Sequence, residues 1–307
     1  MPVDADIQKI LDLIKQAGRP PYREQTLAEA RAGYQVMVNL MDPNEEPIHR
    51  TQERTIPGPA GEIPARVYWP REAEAGETLG VFIYLHGGGF VIGDLDTHDP
   101  LCRRLCNRGD CIVVSVDYRL APEHPFPASG EDCIAAMNWC AANTAVLGGD
   151  ANRLAIGGDS AGGNLSAVCA RAARDAGGPD LRLQLLIYPA LAPRRDSESH
   201  SAFGEGYVLT RDNIEWFMEQ YTGGSEPVND PHFAPPLPPI TAARPERKSS
   251  LPAMILCGTR AWPMPRPSQT PECQQTWSTM KARCMPSYSI TVPPPPAGRP
   301  WNIAVRF

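Results

Sequence analysis

The most constraining feature of this chain is a glycine-rich turn that joins a short apolar strand to an alanine-rich helix. Residues 157–163 form this serine turn and read Gly-Gly-Asp-Ser-Ala-Gly-Gly. The flanking patterns predict a strand at residues 154–157 and a helix at residues 165–173. A turn this tight leaves no room for Cβ atoms two positions before and after Ser160, where the chain has Gly158 and Gly162. We therefore expect alternating strands and helices, with the serine hydroxyl exposed at the turn.

Unbroken apolar runs elsewhere in the chain predict further strands of one buried sheet. These runs occupy residues 81–85, 111–116, 183–188 and 251–257. Helices are predicted at residues 4–17, 27–41 and 129–143. Alternation of buried strands with helices favours a parallel sheet with right-handed crossovers. Residues 56–68 differ, because prolines and glycines interrupt two short extended runs there and indicate a hairpin.

A second glycine motif, the triple-glycine loop (residues 86–92), follows the strand predicted at residues 81–85. It begins His-Gly-Gly-Gly-Phe, and its glycines let the main chain approach a substrate carbonyl closely. The helix after the serine turn directs its first N–H groups toward the reacting oxygen. Together the two motifs predict acyl transfer through a serine nucleophile. The residues predicted for these roles are Ser160 as nucleophile and Gly87, Gly88, Gly89 and Ala161 as oxyanion donors.

The chain resembles the bacterial carboxylesterases related to hormone-sensitive lipase, which have the α/β-hydrolase fold. The resemblance rests on the two glycine motifs, on Tyr-Arg-Leu-Ala-Pro-Glu at residues 118–123, on Phe-Pro-Ala at residues 126–128 and on Asp230-Pro231. It covers residues 1–258 and implies a mostly parallel central sheet flanked by helices. It also implies a helical cap built from residues 1–50 and 190–232.

The resemblance further implies an activity and a set of supporting residues. The group typically hydrolyses short-chain acyl esters through an acyl-enzyme, here on Ser160, without a cofactor or a metal. Its oxyanion donors usually come from the second and third glycines of the loop and from the residue after the serine. His86 and Asp159 belong to the same motifs, and Arg119 and Glu123 resemble scaffold positions near the site. The partners implied are a small-molecule ester and, as in many members, a second copy in a homodimer.

The resemblance stops where the acid and base of a catalytic triad are expected. In α/β-hydrolases the chain order is serine, then Asp or Glu, then His. The acid should follow the strand at residues 251–257, but residues 258–265 contain no Asp. The last histidine of the chain is His232, and the only acid after Gly258 is Glu272, which lacks the expected motif.

Four histidines are candidate substitutes for the missing base. His86 belongs to the triple-glycine loop, where a structural role is usual. His98 and His124 are in loops that could approach the cleft, yet neither has the chain position of a base. His232 is better explained by the return of the chain from the cap to the core.

The composition changes abruptly after Gly258. Residues 231–307 contain 17 of the 34 prolines and carry nine Lys or Arg against two Glu, whereas residues 1–230 carry 20 Lys or Arg against 33 Asp or Glu. Consecutive prolines at residues 293–296 exclude a helix or a central strand there. We hypothesise that residues 259–307 are a frameshifted reading of an ordinary esterase. Sequencing the gene would reject this hypothesis if it found one uninterrupted frame with no homologous alternative.

Two other interpretations remain open. The chain could be a catalytically impaired ligand-binding protein on the same fold, like the plant gibberellin receptors, which resemble this group but lack the catalytic histidine. It could also be a truncated, nonfunctional product, which aggregation and protease sensitivity would reveal. The intact serine turn and triple-glycine loop favour the esterase, because a pure binder needs neither motif.

Composition argues against several other functions. The net charge of −6 gives no reason to expect nucleic acid or an anionic membrane as a partner. The acidic N-terminus lacks the pattern of a signal peptide, and no window reaches the roughly 18 apolar residues of a membrane span. We therefore expect a cytoplasmic protein. The nine cysteines show no metal-like spacing, so most are expected to be buried or surface thiols rather than ligands.

Overall fold

The computed structural model of the chain describes residues 3, 5–42, 46–191, 198–235 and 253–256. Within these residues, seven strands form one sheet. The strands are β1 (Arg50–Gly58), β2 (Gly61–Trp69), β3 (Leu79–Leu85), β4 (Cys111–Val116), β5 (Gly149–Asp159), β6 (Leu181–Ile187) and β7 (Ala253–Leu256). Their spatial order is β1-β2-β4-β3-β5-β6-β7.

The sheet is parallel except at one end. β1 and β2 form an antiparallel hairpin, and β2 also runs antiparallel to β4. All other neighbouring strands are parallel. The predictions of a hairpin and of a mostly parallel sheet are therefore confirmed. Leu85, at the end of β3, lies opposite both Val116 and Gly158, so the triple-glycine loop and the serine turn begin at the same edge of the sheet.

Helices cover both faces of the sheet. They are α1 (Ala5–Ala17), α2 (Leu27–Met41), α3 (Asp99–Gly109), α4 (Ala128–Ala142), α5 (Thr144–Leu147), α6 (Ala161–Ala176), α7 (Glu198–Ala202) and α8 (Arg211–Thr222). Alternate side chains of β3 enter two different cores. Ile83 and Leu85 pack in the larger core with residues of α4 and α6, whereas Phe82 and Tyr84 pack in a smaller core with residues of α3. β3 is thus a buried central strand, which explains its unbroken apolar sequence.

The two segments predicted to form the cap contact each other. A short 3-10 helix, Tyr22–Glu24, precedes α2. Within it, Tyr22 stacks on Trp216 of α8, with ring centroids 5.1 Å apart. The division of the chain into a core and a cap remains a prediction, and the predicted tail, residues 259–307, lies outside the described residues. In the described part of the chain, no helix is both long enough and apolar enough to cross a membrane.

Candidate active site

Ser160 occupies a strained position between β5 and α6. Its backbone has φ of +52° and ψ of −113°, a conformation that non-glycine residues rarely adopt and that costs about 1–3 kcal/mol. The Ser160 N–H donates to the carbonyl of Ile187 (2.9 Å), and the Ser160 carbonyl accepts from the N–H groups of Asn164 and Ala190 (both 3.1 Å). Three backbone hydrogen bonds therefore hold the turn in place. The side chain remains partly exposed, and its hydroxyl makes no hydrogen bond to any described residue.

Glycines of the serine turn allow it to approach the end of β3. A Cβ on Gly158 would lie 2.0 Å from the carbonyl oxygen of Leu85, and a Cβ on Gly162 would lie 1.9 Å from the same oxygen. The Cβ on Gly162 would also lie 2.6 Å from the carbonyl oxygen of His86. No side chain fits at these separations, so the serine turn and the triple-glycine loop are in direct backbone contact because both positions are glycine.

The triple-glycine loop folds back on itself immediately after β3. Gly88, Gly89 and Phe90 have φ of +120°, +60° and +66°, respectively. The carbonyl of Gly88 accepts hydrogen bonds from the N–H groups of Val91 (3.1 Å) and Ile92 (3.0 Å). A Cβ on Gly88 would lie 2.0 Å from the carbonyl oxygen of Ile92, so glycine is required at this position.

The predicted oxyanion donors differ in how their N–H groups are used. The Gly87 N–H donates to Oδ1 of Asp159 at 2.8 Å. Within the described part of the chain, the N–H groups of Gly88, Gly89 and Ala161 have no acceptor. Three of the four predicted donors are thus free to bind an external oxygen, whereas Gly87 anchors the loop to the residue that precedes Ser160.

Asp159 is the acceptor at the centre of a buried polar group. Besides Gly87, the hydroxyl of Tyr84 donates to its Oδ1 at 2.5 Å, and Nε2 of His98 lies 3.6 Å from the same atom. Burial raises the pKa of Asp159, but the neighbouring His98 ring and the hydrogen bond from Tyr84 outweigh it, so the pKa is lowered. Asp159 is therefore a charged carboxylate held by donors on several sides.

His86 lies beside Asp159 and is completely buried. Its Nδ1 donates to the carbonyl of Gly87 at 2.8 Å, and the hydroxyl of Tyr118 donates to the His86 carbonyl at 2.7 Å. Burial and then the neighbouring His98 lower the pKa of His86 to about 4, so the ring is neutral at neutral pH. Its Nε2 has no hydrogen-bond partner. This geometry fits a support for the loop rather than a proton acceptor facing substrate.

The other candidate bases, His98, His124 and His232, do not hydrogen-bond to Ser160. His232 is half exposed, and its Nδ1 lies 3.2 Å from Oδ1 of Asp230. His124 is exposed, and its backbone N–H bonds the carbonyl of Leu120. The positions after residue 258, where an acid and a base are expected, lie outside the described residues.

Some supporting residues were not identified from the sequence. Tyr84 is hidden in the apolar run of β3, and Tyr118 was seen only as part of a motif, yet both donate hydrogen bonds beneath the triple-glycine loop. A tyrosine at or just beyond the end of a buried strand is the sequence signal for such a role, because its buried hydroxyl needs a hydrogen-bond partner. Arg119, which resembles a scaffold position of the family, makes two 2.8 Å hydrogen bonds to the buried carboxylate of Asp132.

Comparison with known proteins places this site in a family. A family model described as alpha/beta hydrolase fold matches residues 82–266. Carboxylic ester hydrolase LipN of Mycobacterium tuberculosis is 44% identical over 217 residues, which cover 69% of this chain and 54% of LipN. Carboxylesterase NlhH of the same species is 49% identical over 177 residues, which cover 57% of this chain and 54% of NlhH.

A solved esterase structure is also similar to this chain. The hyperthermophilic esterase from the archaeon Pyrobaculum calidifontis superposes with a TM-score of 0.73 at 39% identity, covering 83% of this chain and 79% of that chain. The chain therefore belongs to the α/β-hydrolase family, and its resemblance to the esterases related to hormone-sensitive lipase is confirmed. It spans about half the length of the two mycobacterial relatives.

Proposed function

We propose that this protein is a carboxylic ester hydrolase that uses Ser160 as its nucleophile. The observation that carries the proposal is the set of three free N–H groups, on Gly88, Gly89 and Ala161, at the edge of the sheet where Ser160 turns. The relatives are named as esterases or carboxylic ester hydrolases, and these names support ester hydrolysis as the reaction.

In the proposed reaction, Oγ of Ser160 attacks the carbonyl carbon of the ester and the carbonyl oxygen becomes negatively charged. The free N–H groups donate to this oxygen, and the loss of one such donor typically slows a reaction by about 10²–10³-fold. The bond between the carbonyl carbon and the alcohol oxygen then breaks, and the alcohol leaves with the proton that Ser160 lost. The acyl group stays bonded to Oγ of Ser160 as an acyl-enzyme. Water attacks this ester in the second half of the reaction and releases the acid.

The preference for short acyl chains is part of the proposal and has its own support. The ring of Phe217, on α8, packs directly against the triple-glycine loop. A Cβ on Gly89 would lie 2.4 Å from Cγ of this ring. An aromatic side chain this close to a proposed donor restricts the space above the loop, and a small acyl group suits such a site better than a long chain.

The serine proton requires a base, which motivates a second candidate function. No histidine follows His232 in the sequence, and the hydroxyl of Ser160 has no hydrogen-bond partner among the described residues. Without a base, the remaining acceleration over water is about 10³–10⁴-fold, which most assays would not detect. The second candidate is therefore a protein that binds esters on the same fold without hydrolysing them.

One experiment separates the two candidates. Hydrolysis of p-nitrophenyl butyrate is measured for the purified chain, for Ser160→Ala and for a control, Ser225→Ala, at an exposed position. We expect hydrolysis by the chain and by the control, and none by Ser160→Ala. Activity that survives in Ser160→Ala would reject Ser160 as the nucleophile. A folded, inactive chain that binds ethyl butyrate in a calorimetric titration would favour the binding protein.

A further inference from the structure

The triple-glycine loop is held from above by a side chain of the N-terminal helix α2. Nε of Arg31 donates to the carbonyl of Val91 at 3.0 Å. Its Nη2 donates to the carbonyl of Ala121 at 3.3 Å. A single guanidinium thus bonds the main chain at two points that are 30 positions apart in the sequence, and one of them is in the loop that carries the free N–H groups.

The orientation of this guanidinium is fixed by a carboxylate. Glu123 accepts two parallel hydrogen bonds from Arg31, at 2.8 and 2.9 Å. These bonds lower the pKa of Glu123, which therefore remains charged. A bidentate pair of this kind sets both the distance and the plane of the guanidinium, and the remaining donors then point in fixed directions. Four of the five N–H donors of Arg31 bond protein acceptors, which leaves no pair of donors for a substrate carboxylate.

The two segments whose carbonyls accept from Arg31 are also hydrogen-bonded to each other. The N–H of Ala121 donates to the carbonyl of Phe90 at 2.9 Å, which joins the segment around Ala121 to the loop. The N–H of Val91 donates to the carbonyl of Gly88 and closes the turn that exposes the free N–H groups. Arg31 therefore fixes the carbonyl of the same residue whose N–H fixes Gly88.

We propose that Arg31 is a positioning residue that holds the triple-glycine loop in the conformation that stabilises the transition state. The inference rests on the proposed function, since the conformation matters for catalysis only if Gly88 and Gly89 donate to the reacting oxygen. A displacement of these groups by about 1 Å is enough to reduce a rate about 10²-fold. Substrate binding, which depends on the surrounding walls, depends much less on the same hydrogen bonds.

The kinetic test compares two arginines of the predicted cap. The variants are Arg31→Ala, Arg31→Lys and, as the matched control, Arg23→Ala, whose partners Asp212 and Glu219 are on α8 and not in the loop. With p-nitrophenyl butyrate, we expect Arg31→Ala to lower kcat by about 10–100-fold and to change KM by about twofold at most. Arg31→Lys should recover little, because an ammonium group cannot reproduce the planar fork. Arg23→Ala should leave both constants within about twofold of the wild type.

A second measurement tests the same inference without relying on activity. Amide hydrogen exchange is followed by mass spectrometry in peptides that cover residues 86–92. We expect faster exchange in this segment for Arg31→Ala, with wild-type exchange for Arg23→Ala. Unchanged exchange and unchanged kcat in Arg31→Ala would overturn the inference, and so would faster exchange spread evenly over the whole chain. Absence of hydrolysis by the wild type, or its survival in Ser160→Ala, would instead reject the proposed function, and the exchange data would still decide whether Arg31 holds the loop.

Discussion

The triple-glycine loop lies between two regions that are built from different interactions. Below it is a buried polar cluster composed of Tyr84, His86, His98, Tyr118 and Asp159. No member of this cluster is more than 7% exposed. Its hydrogen bonds to the main chain of the loop are 2.8 Å or shorter, including the one from the Gly87 N–H to Asp159. The loop is thus bonded from below through groups that have no access to water.

The cap contacts, composed of Tyr22, Arg23, Asp212, Trp216 and Glu219, join the N-terminal segment to α8 above the loop. Their charged members remain in water, because the side chains of Arg23, Asp212 and Glu219 are 37%, 48% and 50% exposed. The ion pairs are nevertheless short, with Arg23 nitrogens 2.6 Å from each carboxylate. Similar distances therefore occur in two very different environments.

The difference shows that exposure, rather than hydrogen-bond length, decides how strongly an interaction contributes here. An exposed ion pair gains little over its hydrated, separated members, and salt screens it. A buried carboxylate leaves its donors unsatisfied when it is removed, and this costs several kcal/mol. The buried polar cluster should therefore determine stability, and the cap contacts should be replaceable at little cost.

The largest expected effect comes from the removal of the central carboxylate of the buried polar cluster. Asp159→Ala leaves the Gly87 N–H and the Tyr84 hydroxyl without an acceptor and His98 without its neighbouring charge. We expect the free energy of unfolding to fall by about 3–5 kcal/mol, measured by urea denaturation. If this variant does not fold, Asp159→Asn, which keeps one acceptor oxygen, should fold with a smaller loss.

The matched control for this prediction is Asp212→Ala in the cap contacts. It removes the same side chain and also breaks a short ion pair, with Arg23. We expect its free energy of unfolding to stay close to that of the wild type. Equal losses for the two aspartate variants would show that burial does not separate the two regions.

An intermediate effect is expected from pH, through His86. Burial and His98 lower the pKa of His86 to about 4 in the folded chain, whereas an unfolded histidine titrates near about 6.5. Between these values the unfolded chain binds a proton at His86 that the folded chain does not. The free energy of unfolding should therefore decrease as pH falls from about 6.5 to about 4, by roughly 3 kcal/mol at most, and this group has no effect above pH about 7.

Urea denaturation at several pH values between 7.5 and 4.5 measures the slope of the free energy of unfolding against pH. His86→Asn removes the titrating ring, so its slope in this window should be smaller than that of the wild type. Arg23→Ala should keep the wild-type slope, because it leaves the buried polar cluster intact. A slope that is the same in His86→Asn and in the wild type would mean that other groups control the pH dependence.

Much of the fold and part of the site could be predicted from the sequence because the signals are local. Glycines on both sides of Ser160 predict the sharp turn, and unbroken apolar runs predict the central strands. The start of the hairpin was predicted too late, since β1 begins at Arg50 rather than near residue 56. Six of the nine residues of β1 are exposed, so this edge strand carries no apolar run that would mark its beginning.

The interactions that support the site could not be predicted, because they depend on register and on distant segments. Gly87 is engaged by Asp159 only because Leu85 and Gly158 lie opposite each other in neighbouring strands. Arg31 precedes the carbonyl that it bonds in the loop by 60 residues, and no spacing rule connects the two. The sequence therefore predicts which N–H groups are candidates, whereas the fold determines which of them are free.

The smallest expected effect is the loss of the ion pairs between the N-terminal segment and α8. Arg23→Ala removes contacts with Asp212 and Glu219 but leaves the stack of Tyr22 on Trp216. Since the charged groups are exposed, we expect Tm to change by about 1–2 °C at most, and by less in 1 M NaCl, where screening already weakens the pairs. Thermal unfolding at both salt concentrations measures this. A large, salt-independent decrease in Tm would mean that the cap contacts stabilise the fold as strongly as the buried polar cluster does.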